Sequence, residues 1–270
     1  MSIAGIIMNM RRAIELRVEY RRMESLHRGR IINADLGLSE VSPGSRDEQA
    51  VHATNIVLLR RAIASEQRMW DRTNLTFHEQ THQRQKPYRF FRLQTELLRY
   101  IQGSTIVEIG SARARLPHPI NEFNPVCCND GHSTYHWASQ TDMKVHTVDI
   151  DPESRKNLDR AGFANLTAVT GDGIAFLREW KGPPIDFLFL DAWDIGVPQY
   201  AEKHLEAYEV IKDRLAARHV IGIDDTDFSG DGKGKLLVPH LLASGYLLVA
   251  QGRQTVFTNF DIGPETVRPG

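Results

Sequence analysis

From Thr105 onward, short apolar runs of β character alternate with helical segments, and this alternation constrains the fold more than any other feature. The runs are Thr105–Ile109, Lys144–Ile150, Leu166–Thr170, Ile185–Leu190, His219–Ile223, Tyr246–Ala250 and Thr255–Asn259. Between them lie helical stretches at Ser133–Thr141, Pro152–Ala161, Gly173–Trp180, Pro198–Ala216 and Lys233–Ser244. Apolar strands in βα alternation are buried on both faces, which requires a parallel sheet with helices on each side. Only a turn at Gln251–Gln254 separates the last two runs, so they form an antiparallel hairpin. The predicted fold is α/β: a Rossmann-like, seven-stranded, mostly parallel sheet with a C-terminal antiparallel hairpin, behind an N-terminal helical segment.

That leading segment is predicted over residues 1–87, with the sheet domain over 88–270. Ile3, Ile6, Ile7, Met10, Ile14, Val18 and Leu26 recur at helical spacing. The arginines of this helix are interleaved with Glu15, Glu19 and Glu24, so it reads as a helix packed on the domain or on a second subunit. Its apolar stripe makes a homodimer possible. Gly37, Pro43 and Gly44 mark a loop that is a candidate lid or hinge. Further helices are predicted over 51–70 and over Tyr88–Ile101.

Composition narrows the partners. The formal net charge of -1 gives no global pull toward nucleic acid or membrane. No stretch approaches the roughly 20 apolar residues of a membrane span. The apolar run Ile3–Met8 precedes the arginines, the reverse of a secretory signal. The two cysteines, Cys127 and Cys128, are adjacent, which argues for free thiols. Cytoplasmic residence is the expectation.

Ligands of open α/β sheets bind beyond the carboxyl ends of the strands, at the switch point. The first strand ends Glu108-Ile109-Gly110-Ser111, where a glycine lets backbone approach a ligand and Glu108 binds an ammonium or orders the loop. The second ends Asp149-Ile150-Asp151, and a carboxylate there can accept both hydroxyls of a ribose. This acid falls about 40 residues after the first strand, not the ~20 of a simple dinucleotide motif. An insertion over Ser111–Asp130 accounts for the gap and displaces the helix start to Gly131-His132-Ser133-Thr134.

Joined together, Glu-Ile-Gly and Gly-His-Ser-Thr resemble the catechol O-methyltransferase-type branch of class I S-adenosylmethionine (SAM)-dependent methyltransferases. The resemblance spans roughly residues 88–260 and implies a methyltransferase domain. It implies that Ser133 holds the methionine carboxylate at a helix N-terminus, which the helix dipole favours. It also makes Thr170-Gly171-Asp172-Gly173 the adenine-contacting turn, with Asp172 as the contact. The insertion departs from the family pattern and is a candidate wall of the substrate site.

The fourth and fifth runs end in Leu190-Asp191-Ala192-Trp193-Asp194 and Ile223-Asp224-Asp225. Three carboxylates at one sheet edge repel unless a cation neutralises them, and Mg²⁺ prefers oxygen ligands. The alternative is a set of aspartates that cap helices. Metal-dependent O-methyltransferases carry Leu-Asp-x-Trp and Asp-Asp or Asp-Asn at these places, so the resemblance implies Mg²⁺ on Asp191, Asp224 and Asp225. A substrate hydroxyl would then attack the sulfonium methyl in line. Relatives hold their general base three residues after the first metal aspartate, as Lys or His. Here that residue is Asp194, a base or a fourth metal ligand, with His132, His136 and His78 as further candidates. The implied acceptor is a small-molecule hydroxyl, on a sugar, another natural product or a catechol.

Other readings compete. His78-Glu79-Gln80-Thr81-His82 matches the zinc-protease pattern, but Pro87 cuts the helix short and no third ligand follows. His78 or His82 could equally border the acceptor pocket. A metal-independent N- or C-methyltransferase keeps the cofactor without the metal, and a non-catalytic SAM-binding protein drops the chemistry. A Rossmann oxidoreductase lacks its Gly-x-Gly-x-x-Gly fingerprint here. Gly230–Gly234 is glycine-rich without the Lys-Ser/Thr of a phosphate loop and reads as a mobile loop.

Overall fold

The computed structural model describes residues 37–39, 47–71, 87–112, 132–228 and 232–262. The predicted helix over 3–26, the His78–His82 motif, both cysteines and nearly all of the insertion lie outside them.

Two helices precede the sheet: α1 (Glu48–Asp71) and α2 (Pro87–Tyr100). Then follow β1 (Thr105–Ile109), α3 (His132–Gln140), β2 (Lys144–Asp149), α4 (Pro152–Ala161), β3 (Leu166–Thr170), α5 (Gly173–Arg178) and β4 (Ile185–Leu190). The chain continues through α6 (Tyr200–Ile211), β5 (Leu215–Ile223), α7 (Leu237–Ala243), β6 (Leu247–Ala250) and β7 (Thr255–Thr258). The seven strands form one sheet in the order β3-β2-β1-β4-β5-β7-β6. The pairs among β1 to β5 are parallel, and β7 runs antiparallel to both β5 and β6. This is the Rossmann-like sheet with its C-terminal hairpin that the periodicity predicts.

The period-two rule explains the two cores. In β4, Phe187 and Phe189 point to one face, where they join Trp137 of α3, Phe90, Leu93 and Leu97 of α2, and Ile56, Leu59 and Ile63 of α1. Leu188 and Leu190 point to the other, with Ile174 and Leu177 of α5, Ile211 of α6 and Leu237 and Leu241 of α7. Trp137 meets Phe91, Phe187 and Phe189 edge-on, with centroids 5.2 to 5.9 Å apart. Such pairs contribute about 0.5–1.5 kcal/mol each beyond their burial.

Two boundaries differ from expectation. The helical stretch predicted over Pro198–Ala216 ends at Ile211, a 3₁₀ turn follows over Lys212–Arg214, and β5 begins at Leu215 because that residue pairs with Ile185. The stretch predicted over Lys233–Ser244 begins instead with a buried 3₁₀ turn, Gly232–Gly234, so the glycine-rich loop is packed where it is described.

Candidate functional site

Switch-point topology places the tips of β1, β2, β4 and β5 side by side. Each ladder runs one rung past the strand: Gly110 N–H donates to Val148 O (2.9 Å), Asp191 N–H to Ile109 O (2.8 Å) and Asp224 N–H to Leu190 O (3.0 Å). Gly110 has φ +89°, and a Cβ there would meet the backbone of Asp191 and Ala192 at 2.7 Å. Only glycine lets the β1 tip turn this close to β4.

On the β1–β2 side, Asp149 accepts the Ser111 N–H on Oδ2 and the Asp151 N–H on Oδ1, both at 2.9 Å. A carboxylate offers about four acceptor positions, so half of its capacity is left over. The next residue, Ile150, is 78% exposed, an unusual place for a large apolar side chain. The Ser111 hydroxyl is buried and has no hydrogen-bond partner among the described residues. An orphaned hydroxyl beside a half-used carboxylate and an exposed apolar shelf fits the amino-acid, ribose and adenine parts of SAM.

Glu108 is fully buried beneath this edge. It accepts the hydroxyls of Ser133 and Thr134, each at 2.5 Å, and so anchors the first turn of α3. Burial pushes its carboxyl up to about 7, against the pull of those two hydroxyls. Ser133, expected on a methionine carboxylate, lies at the start of α3 with its hydroxyl directed to Glu108. Asp172, expected at adenine, caps α5 by accepting the Ala175 N–H at 2.8 Å. Gly173 packs so tightly that a Cβ would lie 2.4 Å from Ile109 Cγ2.

On the β4–β5 side, Asp191, Asp224 and Asp225 converge, with ligand oxygens all within 4.8 Å of one another. Their counter-charges are protein side chains that sequence reasoning missed. Lys233 Nζ lies 2.6 Å from Asp191 Oδ1, 3.2 Å from Asp225 Oδ2 and 3.8 Å from Asp194 Oδ1. Arg253 Nη2 lies 2.8 Å from Asp225 Oδ1, and Gln254 Nε2 donates to Asp224 Oδ1 at 2.9 Å. Burial and the neighbouring Asp191 and Asp225 push the Asp224 carboxyl well above its ordinary range. Burial draws the Lys233 ammonium downward, but Asp191, Asp225 and Asp224 outweigh it and hold the group charged.

The donor chemistry of this cluster suits Mg²⁺, but Lys233 Nζ already lies among the same oxygens. Two side-chain cations already answer the three carboxylates. Two unit charges about 4 Å apart repel by about 4 kcal/mol at a protein surface, and a divalent ion beside the Lys233 ammonium doubles that. As arranged, the residues do not fit Mg²⁺ alongside Lys233.

Asp194 stands at the mouth of the cluster with 54% side-chain exposure, the most open of its acids. His136, expected as a candidate base, lies instead in the core. It contacts Thr95 Oγ1 at 3.0 Å and packs against Phe91 and Trp137, and burial pushes it down to about 3. His132 begins α3, but its side chain lies outside the described residues, as does His78. Among the described residues no helix is long and apolar enough to cross a membrane.

Neither a protein-family model nor a curated protein matches this sequence. Among solved structures the chain is similar to cofactor-bound Rv0187 from MTB, at 17% identity over 84% of this chain and 95% of that one, with a TM-score of 0.42. It is similar to the MycE methyltransferase of the mycinamycin pathway, solved with Mg, SAH and mycinamycin VI, at 13% identity over 74% of this chain and 53% of that one (TM-score 0.43). It is also similar to NSun6 from Pyrococcus horikoshii, at 14% identity over 57% of this chain and 46% of that one (TM-score 0.38). These likenesses are distant, and the chemistry rests on the residues of the site itself.

Proposed function

We propose that the protein is a SAM-dependent methyltransferase that transfers a methyl group to a hydroxyl of a small molecule. The observation that carries this reading is the orphaned Ser111 hydroxyl beside the Asp149 carboxylate at the switch point. When bound, SAM supplies a methyl group on a positively charged sulfur. Asp149 would accept ribose hydroxyls with its spare lone pairs, Ile150 would cover one face of adenine, and Ser111 would bond the amino-acid end. The acid cluster faces this donor from the adjacent strand tips.

A hydroxyl acceptor fits because its oxygen must shed a proton as it takes the methyl. Asp194 is the open carboxylate that can take that proton at Oδ. Bound SAM would supply the methyl carbon to the acceptor oxygen and would keep the electron pair of the broken carbon–sulfur bond on sulfur, while Asp194 would hold the proton that the oxygen loses. Positioning of the two reactants supplies much of the rate.

A second reading adds Mg²⁺ on Asp191, Asp224 and Asp225. The mutual spacing of their oxygens favours it, and it requires Lys233 to be displaced. Transfer that stops in EDTA and returns with Mg²⁺ would support it. The main reading is tested by calorimetry with SAM against NAD, and by a screen of hydroxyl acceptors with methyl-labelled SAM. Absence of SAM binding sinks it.

A further inference from the structure

The acid cluster at the tips of β4 and β5 carries a cation of its own. The Lys233 side chain is 1% exposed, and its ammonium donates to Asp191 Oδ1 at 2.6 Å and to the Asp191 carbonyl at 2.8 Å. Asp225 Oδ2 lies 3.2 Å away and Asp194 Oδ1 3.8 Å. Arg253 completes the set with Nη2 at 2.8 Å from Asp225 Oδ1 and Nε at 3.8 Å from Asp224 Oδ1.

The backbone locks this arrangement. The Lys233 N–H donates to Asp225 O at 3.2 Å. Gly232 has φ +50°, and a Cβ there would fall 1.9 Å from Asp225 O. A Cβ on Gly234 would fall 2.7 Å from Val238 Cγ2. The glycines on either side of Lys233 are therefore required by close packing. The Cα of Lys233 is thereby held beside the β5 tip, within reach of both strand ends.

We propose that Lys233 is the resident cation of this site: a positioning residue whose ammonium ties the β4 tip to the β5 tip and stands where a divalent ion would have to bind. The inference deepens the methyl-transfer reading, yet its test does not depend on transfer. A compact ammonium donates to the carboxylate and the carbonyl of Asp191 and pairs by charge with Asp225. A hard divalent ion needs those same oxygens. Loss of the ammonium would remove one positive charge from among these carboxylates and free the oxygens it holds.

The test uses Mn²⁺ alone, titrated into the 270-residue chain and followed by the paramagnetic resonance of free Mn²⁺. The wild type is expected to show no saturable binding up to about 1 mM, and Lys233→Met to bind at least about tenfold more tightly. Mg²⁺ is expected to raise the melting temperature of K233M and leave that of the wild type unchanged. Micromolar Mn²⁺ binding by the wild type that Asp191→Asn abolishes overturns the inference. So does a folded K233M that gains no affinity. Should K233M fail to fold, wild type against D191N decides alone: saturable binding that D191N removes overturns the inference, and none supports it. SAM calorimetry on the same wild-type protein judges the methyl-transfer reading separately, because loss of that reading leaves the Mn²⁺ result intact.

Discussion

Lys233 bonds two atoms of Asp191 at once, the carboxylate Oδ1 at 2.6 Å and the carbonyl oxygen at 2.8 Å. The two residues lie 42 positions apart, so the contact fixes where the β4 tip ends relative to the turn after β5.

On the proposed reading, Asp149 holds the ribose of SAM. Charge-assisted hydrogen bonds contribute about 1.5–3 kcal/mol each. Asp149→Asn is expected to weaken SAM binding by roughly tenfold to a hundredfold, measured by calorimetry. An unchanged dissociation constant would place the ribose elsewhere.

Ser111→Ala separates binding from folding. The hydroxyl is orphaned in the free protein, so its removal relieves a buried polar group and leaves stability equal or higher. SAM affinity should fall by about tenfold, as for one lost hydrogen bond. Denaturant melts and calorimetry on one preparation test both halves, and a drop in stability would show that the hydroxyl is satisfied internally.

Glu108 gives a pH signature. Its ordinary value is 4.5, and in the fold it is pushed up to about 7. Between those values the folded chain holds a proton that the unfolded chain has released. The stability this group contributes is therefore full below about 4.5 and lost as pH rises through about 7, by about 3 kcal/mol at most. Unfolding free energies from pH 5 to 8 should decline in the wild type and flatten in Glu108→Gln.

Gly110→Ala should disrupt the whole edge. The residue combines a positive φ with a Cβ position 2.7 Å from backbone. Backbone cannot yield as a flexible side-chain end can, so a loss above about 3 kcal/mol is expected. A melting temperature within a few degrees of wild type would refute the close-approach argument.

Asp194→Asn tests the proton acceptor. With a competent hydroxyl acceptor, turnover should fall by about 10²-fold or more while SAM affinity holds. Equal turnover would move the base to another residue.

The sheet was legible because its strands are short, buried and apolar. The bounds of β1, β3 and β4 follow from their runs, and Asp191, Asp224 and Asp225 meet because adjacent strands end together. The counter-ions were not legible. Lys233 sits in a glycine-rich stretch whose composition signals a loop, and Arg253 sits in the hairpin turn. Only the fold brings either to the cluster. A clue was present: Gly232 and Gly234 bracket a single lysine, and three acids at one edge call for a cation. Ser133 and Asp172 were singled out by family likeness, and the sequence pattern alone does not show that their side chains bond Glu108 and cap α5. His136 resembled a base only in one dimension, since the periodicity of α3 turns it into the apolar face beside Trp137.

Arg60 of α1 donates to the carbonyl of Val249 at 2.8 Å, and β6 is the outermost strand of its side of the sheet. The same helix lays Ile56, Leu59 and Ile63 over the apolar face beside it. An open strand border is a template for pairing with another chain, and α1 shields this one. A fragment cut to begin at residue 88 would therefore bare both a sticky border and a greasy flank, and its first failure would be clumping in solution, well before any loss of chemistry.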